Sequence, residues 1–236
     1  MLDIINFTKS YVKDKKAVED LTLHIEDNDI FAFIGHNGAG KTTLIKAICG
    51  IISFDSGDII IDGVSIKKDP DYCKRAIAYV PDNPDIYKFM TGAQFLNFIC
   101  DVYKVREDVR QTDIDKYAKL FSIEKNLSQK ISEYSHGMKQ KLVLISAFVR
   151  NPKILILDEP FVGLDPIASH TLKELMKDFC KKGGIIFFST HVLEVAEKLC
   201  NRVAIIKKGK LLKCGTMKDI KGDSSLEDIF LELENE

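Results

Sequence analysis

The chain has no apolar run approaching the length of a membrane span. Its first residues, Met1-Leu2-Asp3-Ile4-Ile5-Asn6-Phe7, lack a basic stretch followed by an apolar one, so they do not read as a signal peptide. There is no C-x-x-C pair. The cysteines (Cys49, Cys73, Cys100, Cys180, Cys200, Cys214) are scattered, which suggests free thiols in a reducing cytosol rather than a disulfide framework or a zinc site. Neither sign of charge dominates, with 34 Lys and Arg against 35 Asp and Glu. No overall basic field points to nucleic acid, and no strong acidity points to disorder. Low-complexity tracts and evident repeats are also missing. What remains is an ordinary globular composition over 236 residues, enough for one large α/β domain or two lobes sharing a core.

Against that background one stretch stands out, Gly35-His36-Asn37-Gly38-Ala39-Gly40-Lys41-Thr42-Thr43, of the form G-x-x-x-x-G-K-[ST]. The apolar run from Asp29 to Ile34 precedes it with strand character, and Leu44 to Gly50 follows at helical spacing, closed by a glycine. Glycines let a backbone turn tightly and approach phosphate oxygens. Their N–H groups, at a helix N-terminus, form a concave anion site. Lys41 would reach the β- and γ-phosphates, and Thr42 would place its hydroxyl on Mg²⁺.

The remaining pattern alternates strands and helices. Leu2 to Phe7 is a short strand, Lys9 to Lys16 a polar, turn-like stretch containing Tyr11, and Ala17 to Glu26 a half-buried strand. Asp58 to Ile61 and Val64 to Ile66 form a hairpin across Asp62-Gly63. Ala76 to Val80 is a strand stopped by Pro81. From about Ile86 to Arg150 the texture turns helical, with helices expected over Met90 to Val105, Thr112 to Phe121 and a nearly all-apolar Met138 to Val149. Ile154 to Leu157 and Ile185 to Phe188 read as strands buried on both faces. Helices follow each, at Ile167 to Lys181 and Val192 to Leu199. A hairpin, Arg202 to Ile206 with Lys210 to Lys213, precedes a short last helix, Leu226 to Leu233.

Two strand tips carry chemistry. Asp158-Glu159 follows the strand at 154–157, where one carboxylate can hold Mg²⁺ through water and the next can polarise an attacking water. Taken alone, an exposed acidic turn before Pro160 is the plainer reading; beside the loop at 35–43 the functional reading prevails. His191 ends the strand at 185–188 after Ser189-Thr190; a lone histidine there is more often an ordinary loop residue, but this tip should open near the γ-phosphate.

Gly35–Thr43, Leu155-Ile156-Leu157-Asp158-Glu159-Pro160, Gly163-Leu164-Asp165-Pro166 and Ser189-Thr190-His191, in that order, resemble an ABC-transporter ATP-binding subunit over essentially the whole chain. The resemblance implies an α/β P-loop NTPase core with an N-terminal antiparallel β subdomain and an inserted α-helical subdomain. The expected division is 1–85 with 151–222 as the core, 86–150 as the helical part and 223–236 as a short C-terminal helix. It implies ATP and Mg²⁺, an ATPase reaction, a transmembrane permease subunit and a second ATP-binding subunit, identical or homologous. It implies a cytoplasmic location on the inner face of the membrane, held through the permease, with no nucleic acid and no direct lipid anchor. By resemblance, Tyr11 stacks on adenine, which needs only an exposed ring; a plain surface tyrosine is the weaker alternative. Asp158 matches the carboxylate on the Mg²⁺ side, Glu159 the general base, His191 the γ-phosphate switch, and Asp165 the loop that crosses the dimer interface.

Two places depart from the family pattern. The usual Leu-Ser-Gly-Gly-Gln is Tyr134-Ser135-His136-Gly137-Met138 here. Ser135 and Gly137, the hydroxyl and the close-approach N–H, are kept, and would face the ATP of the opposite subunit; a helix N-cap at Ser135 is compatible with that. Asp82, in Tyr79-Val80-Pro81-Asp82, stands where glutamine is usual. It could bind Mg²⁺ through water or weaken the site with added charge. Both variants resemble a bacterial subgroup with multi-spanning export or resistance partners. The apolar surface of Phe95, Phe98 and Tyr103, preceded by Tyr87-Lys88-Phe89, fills the helical lobe's own core or receives a membrane-subunit helix; core is favoured for most of it. The alternative function is a non-transport ATPase of the same family acting on nucleic acid or ribosomes, which usually carries two such domains or a coiled-coil insertion.

Overall fold

The computed structural model describes residues 1–12 and 15–235. Its centre is strand β3 (Ile30–Ile34), buried at every position. Ile30, Ala32 and Ile34 join one hydrophobic core, whereas Phe31 and Phe33 join a second. That period of two is what a strand covered on both faces requires. Each large side chain fully buried here contributes about 1.5–3 kcal/mol.

β3 lies within a six-stranded sheet. β9 (Arg202–Lys207) and β10 (Lys210–Thr216) lie on one side, and β8 (Ile185–Thr190), β7 (Ile154–Asp158) and β6 (Ile77–Val80) on the other, giving the order β10-β9-β3-β8-β7-β6. β10 is antiparallel to β9; the other pairings are parallel, with Ile34 opposite Thr190 and Asp158 opposite Ser189. The carboxyl ends of β3, β7 and β8 therefore emerge side by side. A second, antiparallel sheet has β1 (Leu2–Val12) between β2 (Lys15–Ile25) and β4 (Ser56–Ile61), with β5 (Val64–Ser65) beyond. It packs with helix α1 (Lys41–Ile48) into the core that holds Phe31 and Phe33. The mixed α/β class and the paired sheets are as expected from the sequence.

Helices α3 (Gly92–Val102), α4 (Glu107–Leu120) and α5 (His136–Val149) all fall between β6 and β7. α5 is buried from Leu142 to Val149, in keeping with its apolar circumference. Thr91 starts α3 with a capping box, accepting from Gln94 N while the Gln94 amide accepts from Thr91 N. α6 (Pro166–Lys181) and α7 (Leu193–Leu199) follow β7 and β8.

The structure departs from expectation in four local places. The polar stretch from Lys9 to Lys16 is strand up to Val12 and again from Lys15, so Tyr11 stands on β1; Lys13 and Asp14 lie outside the described residues. Register shifts along the β1–β2 ribbon interrupt the alternation that would have marked it. Asn6 and Asp20 take positive φ at those shifts, and their side chains pair at 2.9 Å. A helix not expected, α2 (Pro70–Ala76), begins at Asp69, whose carboxylate accepts from Tyr72 N; Asp-Pro is an ordinary helix start. α4 starts a turn early because Glu107 and Asp108 suit a helix N-terminus. Finally, Thr216 caps a short α8 (Met217–Lys221) ahead of the expected last helix, α9 (Leu226–Asn235).

Candidate functional site

The phosphate-type loop connects β3 to α1. Gly40, at the helix N-cap, has φ 112°, and a Cβ there would lie 2.6 Å from the Ala17 carbonyl, so the turn requires glycine. An open cleft of about 360 Å³ forms beside it. Asn37, Gly38, Gly40, Lys41, Thr42 and Thr43 line it from the loop, with Tyr11, Ala17, Asp82, Asp158 and Glu159 opposite. Gly35, His36 and Ala39 do not line the cleft. The carbonyls of Gly35 and His36 instead accept from Lys41 Nζ, at 2.5 and 3.2 Å.

Lys41 is a buried cation, with 6% of its side chain exposed. Desolvation pulls its pKa below the usual lysine value, and Glu159 and Asp158 oppose that shift. Glu159 Oε1 lies 3.9 Å from its ammonium. On the other oxygen, Glu159 Oε2 is 3.0 Å from His191 Nδ1 and accepts from His191 N at 3.3 Å. His191 thus sits behind Glu159 rather than on the cleft wall.

Thr42 Oγ1 donates to Asp158 Oδ2 at 3.0 Å, and Ser189 Oγ donates to Asp158 Oδ1 at 2.5 Å. Ser189 Oγ also accepts from Glu159 N at 3.0 Å. One hydroxyl, buried at the tip of β8, therefore orients both carboxylate residues. Sequence reasoning placed Ser189 in the motif without giving it this task; the available signal was a serine directly opposite an aspartate at two parallel strand tips. Glu159 holds a backbone φ of 48°, unusual for a residue with a Cβ.

Tyr11 stands at the rim with 61% exposure, its hydroxyl 3.4 Å from Thr43 Oγ1. Asp82 reaches the cleft, which makes three carboxylates and one lysine around it. Such a site receives a polyphosphate only with a further cation. Thr42 and Asp158 offer hard oxygen donors, as Mg²⁺ prefers. Among the described residues no group of three His, Cys, Asp or Glu converges on a metal position. A divalent ion here would therefore take its other ligands from phosphate and water.

Ser135 and Gly137 are not among the residues lining this cleft. Ser135 caps α5, accepting from Met138 N at 3.3 Å. Gly137 lies against Gly163, whose carbonyl would be 2.6 Å from an added Cβ. The His136 ring packs on Gly163 as well, and Tyr134 is buried with its hydroxyl donating to the Asn126 carbonyl at 2.7 Å. Tyr134 and His136, two residues of the variant signature, are thus held by packing within the chain. Asp165 caps α6 by accepting from Ala168 N and pairs with Lys141 at 2.6 Å, a contact that ties the second turn of α5 to the Gly163–Asp165 segment.

The family model described as "ABC transporter" matches residues 18–162, which include the loop, Asp82, Ser135, Gly137, Asp158 and Glu159. The chain belongs to the ABC transporter ATP-binding family. EcsA of Bacillus subtilis, an ABC-type transporter ATP-binding protein, is 32% identical over all of this chain and 97% of its own length. A solved ATP-binding subunit of an ABC transporter is 33% identical with a TM-score of 0.95, covering 99% of both chains. cbiO1 of Clostridium perfringens, part of the ABC transporter complex cbiONQ, is 27% identical with a TM-score of 0.80, covering 99% of this chain and 96% of its own. This ABC ATPase therefore has a nucleotide-binding P-loop fold over its length, and no helix among its described residues is long and apolar enough to cross a membrane.

A second hollow of this ABC ATPase, about 440 Å³, lies between α3, α5 and the end of β6. Phe95 is buried in the helical core, as favoured from the sequence. Tyr87, Phe89 and Phe98 instead form an exposed aromatic group, with Tyr87 meeting Phe98 edge-on at 5.6 Å. Arg150 stacks its guanidinium over Tyr103 at 3.2 Å, and burial pushes its pKa down to about 10.

Proposed function

We propose that the chain is the ATP-hydrolysing subunit that drives a separate transmembrane permease in export. Supporting this is one observation above the others: Lys41, the Thr42–Asp158 pair and Glu159 converge on one cleft at the carboxyl ends of β3, β7 and β8, with His191 directly behind Glu159. Open α/β sheets bind ligands at that edge.

In this reading the loop's N–H groups and Lys41 bind the β- and γ-phosphates of ATP, and Tyr11 stacks on adenine. Glu159 orients a water for in-line attack and takes its proton. His191, hydrogen-bonded to Glu159, holds that carboxylate in place and contributes positive potential as charge develops on the γ-phosphoryl oxygens. Thr42, Asp158 and, through water, Asp82 would hold Mg²⁺, which supplies charge neutralisation of the phosphates. Ser135 and Gly137 lie away from the cleft of their own chain, so the reading gives them to the ATP of a second copy. Two chains would then pack head to tail around two nucleotides, with Asp165 at the seam. Residues 86–150 serve as the helical subdomain, and the aromatic group at Tyr87, Phe89 and Phe98 takes a helix of the permease. Export rests on Asp82 and on the Ser135-His136-Gly137 variant.

The test is phosphate release by the purified chain together with its copurification from membranes. Turnover that needs Mg²⁺, plus a polytopic partner lost on Phe89→Ser, is the expected result. Copurification with ribosomes or nucleic acid and no membrane protein would replace the permease reading with a regulatory one. No turnover in the presence of the partner would reject the catalytic assignment.

A further inference from the structure

α9 packs through Leu226, Phe230 and Leu233, an i, i+4, i+7 face, into the core shared with α7. Both ends of the helix are tied to elements of the phosphate site. At its start, Glu197 Oε2 on α7 accepts from Leu226 N at 3.0 Å, while Glu197 Oε1 accepts from Lys221 Nζ at 2.5 Å. α7 begins two residues after His191. Further along, the Phe230 ring meets the His36 ring edge-on at 5.0 Å, and Lys207 Nζ donates to the Leu233 carbonyl at 3.0 Å. His36 is the second residue of the phosphate loop, and its carbonyl is one of the two that hold Lys41. Lys207 follows Ile206, whose carbonyl lies where a Cβ on Gly35 would stand.

We infer that α9 is a brace between the His191 segment and the phosphate loop, and that Phe230 is a positioning residue for ATP binding that acts through His36. The inference rests on the ATPase reading above. A ring pair of this geometry fixes the His36 backbone, and with it the two carbonyls that set where the Lys41 ammonium starts. Loosening that first turn should weaken nucleotide binding and leave the hydrolytic step at Glu159 largely intact.

The experiment uses the full chain with steady-state phosphate release and fluorescent-nucleotide titration. Phe230→Leu keeps apolar burial and removes the ring; Phe230→Tyr keeps the ring. Phe230→Leu should raise KM for ATP about three- to tenfold with kcat within twofold, and Phe230→Tyr should restore it. His36→Ala should produce a similar rise, and the double variant should be no worse than either single change, because the two residues act as one unit. A wild-type KM in Phe230→Leu, or fully additive effects in the double variant, would overturn the inference. Melting curves of both Phe230 variants separate positioning from stability: a kcat loss that tracks a fall in Tm with KM unchanged assigns Phe230 to stability alone and also overturns the inference. Absence of turnover in the wild type would instead sink the ATPase reading.

Discussion

Glu159→Gln is the substitution that most directly tests the site. The side chain is 13% exposed and sits between Lys41 Nζ at 3.9 Å and His191 Nδ1 at 3.0 Å. Glutamine has the same shape, so its amide oxygen can still face one of them. It cannot take a proton from water. Loss of a positioned general base lowers rate by about 10²- to 10⁴-fold, equivalent to roughly 3–5 kcal/mol of barrier. Binding should move the other way. At an effective dielectric of about 20, a lysine–carboxylate pair at this separation attracts by ~4 kcal/mol before desolvation is counted. Removing the carboxylate frees Lys41 for phosphate and takes one of three negative charges from the cleft wall. The variant should therefore bind ATP as well as the wild type or better, and should accumulate as an ATP-held dimer. Phosphate release, nucleotide titration and size-exclusion chromatography with ATP and Mg²⁺ read the three effects. Turnover within threefold of wild type would refute the role given to Glu159. An ATP affinity more than tenfold weaker would refute the electrostatic argument.

Three further changes probe neighbouring features. Asp82→Asn should raise the Mg²⁺ concentration needed for half-maximal turnover several-fold; a fall in that concentration would mean that Asp82 acts by repelling phosphate. Gly137→Ala would ordinarily stabilise a helix by about 1 kcal/mol, but the added Cβ meets the Gly163 carbonyl at 2.6 Å, so the melting temperature should fall instead, which differential scanning fluorimetry will show. The Lys141 hydrogen bond, then the Ala168 N–H, holds the Asp165 carboxyl below its ordinary pKa of 3.8. A depressed carboxylate contributes stability above its unfolded pKa and loses it as pH falls through the folded value. The Tm gap between wild type and Lys141→Met should thus be present at pH 7 and close below about pH 4, with a size well under 1 kcal/mol because Asp165 is half exposed.

Much of this was legible in the sequence because it is written locally. A glycine loop between a strand and a helix, apolar runs for β7 and β8, and carboxylates at a strand tip each need only a few adjacent residues. The β1–β2 ribbon was not legible, because Asn6 and Asp20 shift its register and the alternation that marks a strand breaks there. α2 carried its own start signal in Asp69-Pro70, but its short length gave little periodicity. Ser189 is different in kind. Its importance comes from the pairing of β7 with β8, which sets Asp158 opposite it across 31 residues of chain. Likewise, nothing in the order of residues brings Phe230 to His36; only the packing of α9 does.

The φ of 48° at Glu159 has a consequence for how this chain responds to selection. A left-handed backbone costs a residue with a Cβ about 1–2 kcal/mol relative to glycine. The carboxylate is therefore kept at a position where the main chain would rest more easily without any side chain. Glycine at 159 would relieve that strain but leave the buried Lys41 ammonium without its nearest carboxylate partner, so the relief is offset by an uncompensated charge. The same side chain serves the loop's charge balance and turnover, and an engineering campaign on this ATPase has to hold position 159 fixed and look for its stabilising changes elsewhere.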